Sequence, residues 1–233
     1  MQKTALILFL TLALCPLSQA AEPAAPCAPA PLIVVGFMGG RISANNLAHR
    51  EALLTEDLRQ RYPASIHALL FANRDGSIAL QSVLHLIDPK TPARIVLFGH
   101  SWGASEAINL ARQLNQQHIP VLLTIQVDSV EKLAEDDQTI PPNVHEAINF
   151  YQTEGLLHGR RLIRATDPAH TTILGNFEST YKASPVSLTG YPWFARTFMK
   201  SHIEIENDPA VWTRVEALIV ARSCSPANLL AGK

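Results

Sequence analysis

The 233-residue chain has no surplus of charge: 19 Lys and Arg stand against 20 Asp and Glu, a formal net charge of -1. Without a basic surplus or a clustered run of Lys and Arg, there is no electrostatic footprint for a phosphate backbone, and nucleic acid is not an expected partner. Cysteine is scarce, with three in the chain, too few and too far apart for a zinc knuckle. None of the nine histidines sits at helical ligand spacing around a carboxylate, so no metal motif is present. The glycine-rich stretch Gly36 to Gly40 lacks the Lys-Ser/Thr pair of a nucleotide phosphate cradle, and no cofactor is expected. Internal repeats and long low-complexity tracts are also missing. Apolar residues are not lacking: they make up 47% of the chain, against 17% charged, which excludes a disordered polymer and suits one domain with a single sizeable core.

Long apolar runs are absent except at the start. Lys3 is followed by the uncharged stretch Thr4 to Leu14, and Ser18 and Ala20 are small residues in cleavage-site positions. The stretch is too short to cross ~30 Å of hydrocarbon, so residues 1–20 read as a secretory signal cut before Ala21. Export to the periplasm or the medium is expected, with no stable membrane insertion after cleavage. Removing the signal takes away Cys15 and leaves Cys27 and Cys224. An even pair in an exported chain predicts a disulfide, which in the chain-entropy model would stabilise by up to ~5 kcal/mol. Residues 21–31, rich in Ala and Pro, read as an arm ahead of one domain spanning 32–225.

In that domain short apolar runs alternate with helical periodicity. Strands are predicted at Leu32 to Val35, Ile66 to Phe71, Arg94 to Phe98 and Val121 to Val127, with weaker ones at Ala147 to Tyr151 and Arg161 to Ala165. Helices are predicted at Asn45 to Arg61, Ile78 to Ile87 and Ala104 to Gln117, and a last one begins at Pro209 behind an Asn207 or Asp208 cap. Asn73 to Gly76 reads as a turn and Glu131 to Pro142 as a loop. Residues 166–200 show no clear period. Strands separated by helices of this length imply βαβ units: an α/β fold with a mostly parallel sheet between two helical layers.

The sharpest motif is Gly99-His100-Ser101-Trp102-Gly103, directly after one predicted strand and before a helix. The two glycines relieve the crowding of a tight turn that would lift the Ser101 hydroxyl above the sheet edge. The helix N-terminus that follows favours negative charge developing there. This constellation resembles the nucleophile elbow of the α/β-hydrolase fold family, the lipase, esterase and thioesterase-like serine hydrolases, and the element order agrees from Leu32 to Asp128.

The resemblance implies Ser101 as nucleophile, with the acid and then the histidine later in the chain. His202, in an expected loop before the final helix, is the candidate base, with His170 in reserve. Asp128, ending the strand Val121 to Val127, is the candidate acid and Asp167 its rival. Oxyanion donors are expected from the backbone of Trp102 and of the loop after the first strand, Phe37 first and Met38 next. The aromatics Tyr181, Tyr191, Trp193, Phe194 and Phe198 read either as an acyl pocket or lid or as a packed loop. The expected function is hydrolysis of carboxylic esters or thioesters on a small acyl substrate, with activity rising through roughly pH 6 to 7 as a histidine base loses its proton. The alternative is a non-catalytic binding or assembly protein on the same fold.

Overall fold

A computed structural model describes residues 31–132 and 135–223. The signal reading, most of the Ala/Pro arm, and both Cys27 and Cys224 lie outside the described residues.

The chain runs β1 (Leu32–Met38), α1 (Arg50–Arg61), β2 (Ile66–Ala72), α2 (Gly76–Leu86), β3 (Ile95–His100), α3 (Trp102–Gln116), β4 (Val121–Val127), β5 (Thr139–Ile140), β6 (Val144–Tyr151), β7 (Arg164–Ala165), β8 (Thr172–Glu178), α4 (Trp193–Phe198), α5 (Lys200–Asn207) and α6 (Pro209–Ser223). Six strands form one sheet in the order β2-β1-β3-β4-β6-β8, and every pairing in it is parallel.

A parallel sheet covered on both faces needs apolar residues at consecutive strand positions, because successive side chains point to opposite sides. β1 shows this: all seven residues are buried. Leu32 and Val34 join Val96, Phe98, Leu123 and Ile125 beneath α1 and α6, where Leu58, Trp212, Val215 and Ile219 close one core. Ile33, Val35 and Phe37 join Ile95 and Leu97 beneath α2 and α3, where Val83, Ala107, Ile108, Ala111 and Leu114 close the other. The α3 contacts recur at helical spacing, so its apolar stripe lies flat on the sheet. The result is the expected three-layer α/β/α sandwich.

Three local readings are corrected. The first helix starts at Arg50 rather than Asn45, because Ser43 and Asn46 make turns instead: Asn46 N–H donates to the Ser43 carbonyl and Asn46 Oδ1 accepts from Ala48 N–H. Of the predicted strand Arg161 to Ala165, only Arg164 and Ala165 pair, with Thr139 and Ile140 in a separate two-stranded ladder. The aperiodic stretch after residue 166 supplies the edge strand β8. Its alternation is broken by Gly175 at φ +150° and by a register shift opposite Ala147 and Ile148.

The centre of the sheet leaves little tolerance. A Cβ on Gly36 would sit 2.4 Å from Phe98 Cζ, so β1 approaches β3 over a glycine that makes room for the ring. Gly36→Ala is expected to lower stability by about 1–3 kcal/mol through overpacking. Adding Phe98→Leu should cost less than the two single losses summed, because the clash is relieved. Urea melts of the two single variants and the double variant check this.

Candidate active site

In the order β2-β1-β3 the chain leaves β1 toward opposite sides, so a crevice opens where the C-terminal ends of β1 and β3 part. Gly39 and Gly40 leave β1 on one side of it, and Ser101 leaves β3 on the other.

Ser101 has φ 56° and ψ -128°, a backbone state that is rare for a residue with a side chain. It is held there by its surroundings. Its N–H donates to the Val127 carbonyl at 3.0 Å. A Cβ on Gly99 would lie 2.4 Å from the Gly103 carbonyl group, and one on Gly103 only 2.2 Å from the Phe37 carbonyl oxygen. The missing side chains let the start of α3 press against the ends of β1 and β3 and lift Ser101 toward the crevice.

Asp128 also has positive φ, +44°, at the end of β4. Its carboxylate is fully buried and takes four hydrogen bonds. Oδ1 accepts from Gly159 N–H at 2.7 Å and Gln152 N–H at 3.1 Å. Oδ2 accepts from Gln152 Nε2 at 2.8 Å and faces His202 Nδ1 at 2.6 Å. Gln152 is itself fixed by donating to the Leu157 carbonyl and accepting from Glu154 N–H. Gly159 approaches so closely that a Cβ there would meet Asp128 Oδ1 at 2.5 Å.

His202 Nε2 lies 2.9 Å from Ser101 Oγ. Hydroxyl, imidazole and carboxylate thus form one buried hydrogen-bonded line, with Ser101 7% and His202 2% exposed. His202 stands in the first turn of α5 and not in the expected loop, since residues 200–207 close into a short helix whose positions 201–206 are all buried. The rivals pair with each other elsewhere: His170 Nδ1 bonds Asp167 Oδ2 at 2.7 Å on an exposed turn. The Ala169 N–H and the His170 ring hold that carboxyl below the usual range.

Trp102 is the first residue of α3, so its N–H belongs to the turn that has no intrahelical acceptor. Phe37 lies elsewhere than expected. It is fully buried within β1 and paired in register with Phe71 and Gly99. The alternation that sends Ile33 N–H to the Arg94 carbonyl turns Phe37 N–H into the same β1–β3 ladder. The backbone that reaches the crevice is the turn after the strand. Gly39 donates to Glu51 Oε1 at 3.2 Å, and Gly40 follows with φ +51°. Asn73, read from the sequence only as part of a turn, donates its side-chain amide to the carbonyls of Met38 and Gly40 and so orients this turn.

A cavity of about 450 Å³ opens beside Ser101 and His202. Ile42, Ala48, Ala195, Met199 and Ile203 give it apolar walls, and Asn46, His49, Tyr191, Glu206 and Asn207 give polar ones. The aromatic cluster divides. Tyr191 lines the cavity, and burial pushes its hydroxyl up to about 12. Tyr181 is in the core, donating to Asp208 Oδ2. Trp193, Phe194 and Phe198 face outward from α4.

A polar group that sequence reasoning missed lies next to the line. The His100 ring packs 4.5 Å from that of His202, and its Nε2 donates to the His202 carbonyl at 3.2 Å. Burial, with His202 adding to it, pushes His100 down to about 4, so the ring is neutral. Burial and then the neighbouring Glu206 charge raise the Glu51 carboxyl. In Glu206 burial acts upward most strongly of any single cause, but the bond to His49 and the interactions with His100, His49 and His202 together hold the carboxyl down. The partners His49 and Glu206 are 157 positions apart, a separation at which periodicity carries no signal.

Gly159→Ala is expected to displace Asp128 and slow labelling of Ser101 by a fluorophosphonate about 100-fold, the scale of a misplacement near 1 Å. Labelling kinetics, with circular dichroism to confirm the fold, read this.

No family model matches the chain, and no curated protein matches it significantly. Solved structures that are similar include the type II thioesterase YbtT of the yersiniabactin pathway, 18% identical over 46% of this chain and 45% of its own, with TM-score 0.32. The match therefore spans about half the length of that protein. The prodiginine-pathway thioesterase RedJ of Streptomyces coelicolor is 10% identical over 89% of this chain and 96% of its own, TM-score 0.43. A YdeN-like hydrolase of Pectobacterium atrosepticum is 16% identical over 83% and 91%, TM-score 0.42. In its own geometry, the chain has the parallel sheet, the two helical layers and the strand-turn-helix at the switch point that characterise the α/β-hydrolase architecture.

Proposed function

We propose that the protein is an exported serine hydrolase that cleaves carboxylic esters or thioesters of small acyl substrates through an acyl-enzyme. The observation that carries this reading is the line Asp128–His202–Ser101, with 2.6 Å and 2.9 Å between its polar atoms. A serine hydroxyl is a weak nucleophile until a base takes its proton in the transition state.

In the proposed reaction His202 Nε2 accepts the Ser101 proton as Oγ attacks the acyl carbon. Asp128, fixed in place by its hydrogen bonds to Gly159 and Gln152, holds Nδ1–H and stabilises the imidazolium. The negative charge on the carbonyl oxygen falls at the start of α3, where Trp102 N–H is available. The second donor is assigned to Gly40 in the turn after β1, in place of Phe37, whose N–H belongs to the sheet, and of Gly39, whose N–H bonds Glu51. Collapse of the tetrahedral intermediate passes the proton from His202 to the leaving oxygen or sulfur and leaves the acyl group on Ser101. Water, deprotonated by the same ring, then releases the acid. The cavity volume falls in the ordinary range for small ligands, and its mixed walls suit an acyl group of modest size that carries a polar substituent. Export rests on the charge, apolar run and small residues of positions 1–20.

Ser101→Ala is expected to abolish fluorophosphonate labelling and all turnover on a chain-length panel of chromogenic esters and thioesters. His202→Ala should lower kcat by about 10⁴ or more. Failure of the wild-type protein both to label and to turn over any member of the panel would sink the hydrolase reading and leave a binding module on this fold. Asn73→Ala, by releasing the Met38 and Gly40 carbonyls, is expected to reduce kcat about tenfold to a hundredfold with a smaller change in KM. An equal rise in KM with kcat intact would count against a role in transition-state stabilisation.

A further inference from the structure

Beside Ser101, four side chains from three stretches of chain bring nitrogen and oxygen lone pairs together. His49 precedes α1 and Glu51 lies in its first turn, His100 ends β3, and Glu206 is in the last turn of α5. One ligating atom each from His49, Glu51 and Glu206 lies within 4.8 Å of the others. His100 Nδ1 lies 3.9 Å from Glu51 Oε1 and 3.9 Å from Glu206 Oε2. Because Nε2 is the donor to the His202 carbonyl, Nδ1 is the nitrogen that faces the two carboxylates.

The group is buried and incompletely hydrogen-bonded. Glu51 and Glu206 are 0% and 4% exposed, so bulk water does little to solvate either. His49 bonds Glu206. Glu51 Oε1 accepts from the Gly39 N–H, and among the described residues its Oε2 has no hydrogen-bond partner. A buried carboxylate oxygen without a partner is costly. A cation would supply the missing partner.

We propose that His49, Glu51 and Glu206 form a site for one divalent transition-metal ion of the zinc class, in the cavity wall next to Ser101, with the His100 ring beside it. An imidazole nitrogen with two carboxylate oxygens suits a borderline ion, whereas calcium and magnesium favour oxygen alone. Donor atoms within 4.8 Å of one another need only a small inward shift to share a centre about 2.0–2.2 Å from each. His49, His100 and Glu206 also line the cavity, so a further coordination position would open toward a bound substrate. The site is independent of the role given to Ser101.

The test is calorimetric titration of the chelator-treated full chain with Zn²⁺. One ion per chain is expected, with affinity weakened more than about tenfold by Glu51→Gln and by Glu206→Gln. Binding should be unchanged in Ser101→Ala, which separates failure of this site from failure of the hydrolase reading. It should also be unchanged in Cys27→Ser/Cys224→Ser and in His170→Ala. Wild-type protein loaded with Co²⁺ provides a readout that needs no variant: visible bands of a nitrogen- and oxygen-ligated ion, with no thiolate charge-transfer band. Absence of saturable Zn²⁺ binding, a thiolate band, or binding lost in the cysteine or His170 variants and kept in both glutamate variants would overturn the proposal.

Discussion

The first turn of α3 packs directly against the carbonyl end of β1, with Gly103 against the Phe37 oxygen at a distance that excludes any side chain. This approach holds Ser101 in its positive-φ state, and the rest of the site is arranged around it. If α3 stood further from the sheet, the backbone could relax and the hydroxyl would lose its fixed direction. The strain is borne by the two cores, which clamp β1 and β3 from both faces.

The acid side is built by the same means. Asp128 also sits at positive φ and is fully buried, but no lysine or arginine neutralises it. Four polar contacts do so, three from Gln152 and Gly159 and one from His202. A carboxylate held by fixed dipoles has no competing cation that could draw it away from the imidazole. This arrangement makes β4 a workable place for the acid, although Asp167 lies nearer the end of a later strand.

On the other side of the crevice, α5 carries two functions on successive turns. His202 faces Ser101 and Asp128, while Glu206 one turn later faces His49 and His100. The His100 ring lies between them, packed on His202 and bonded to its backbone. The buried acid–imidazole group and the reactive line therefore share a helix and a ring contact. A change in the ligation or charge of one is physically next to the other.

Much of this was legible in the sequence. Consecutive apolar residues in β1, β3 and β4 require a sheet covered on both faces, and the glycines around Ser101 have a steric purpose that local spacing reveals. Those signals are short-range, because side-chain alternation and turn sterics act within a few residues. Only the tertiary structure decided that His202 sits on a helix, that Gln152 and Gly159 hold Asp128, that Phe37 is committed to the sheet, and that His49, Glu51, His100 and Glu206 meet. Each of these depends on where separate strands and helices end relative to one another. That is set by packing across the whole core, so no local pattern of residues encodes it.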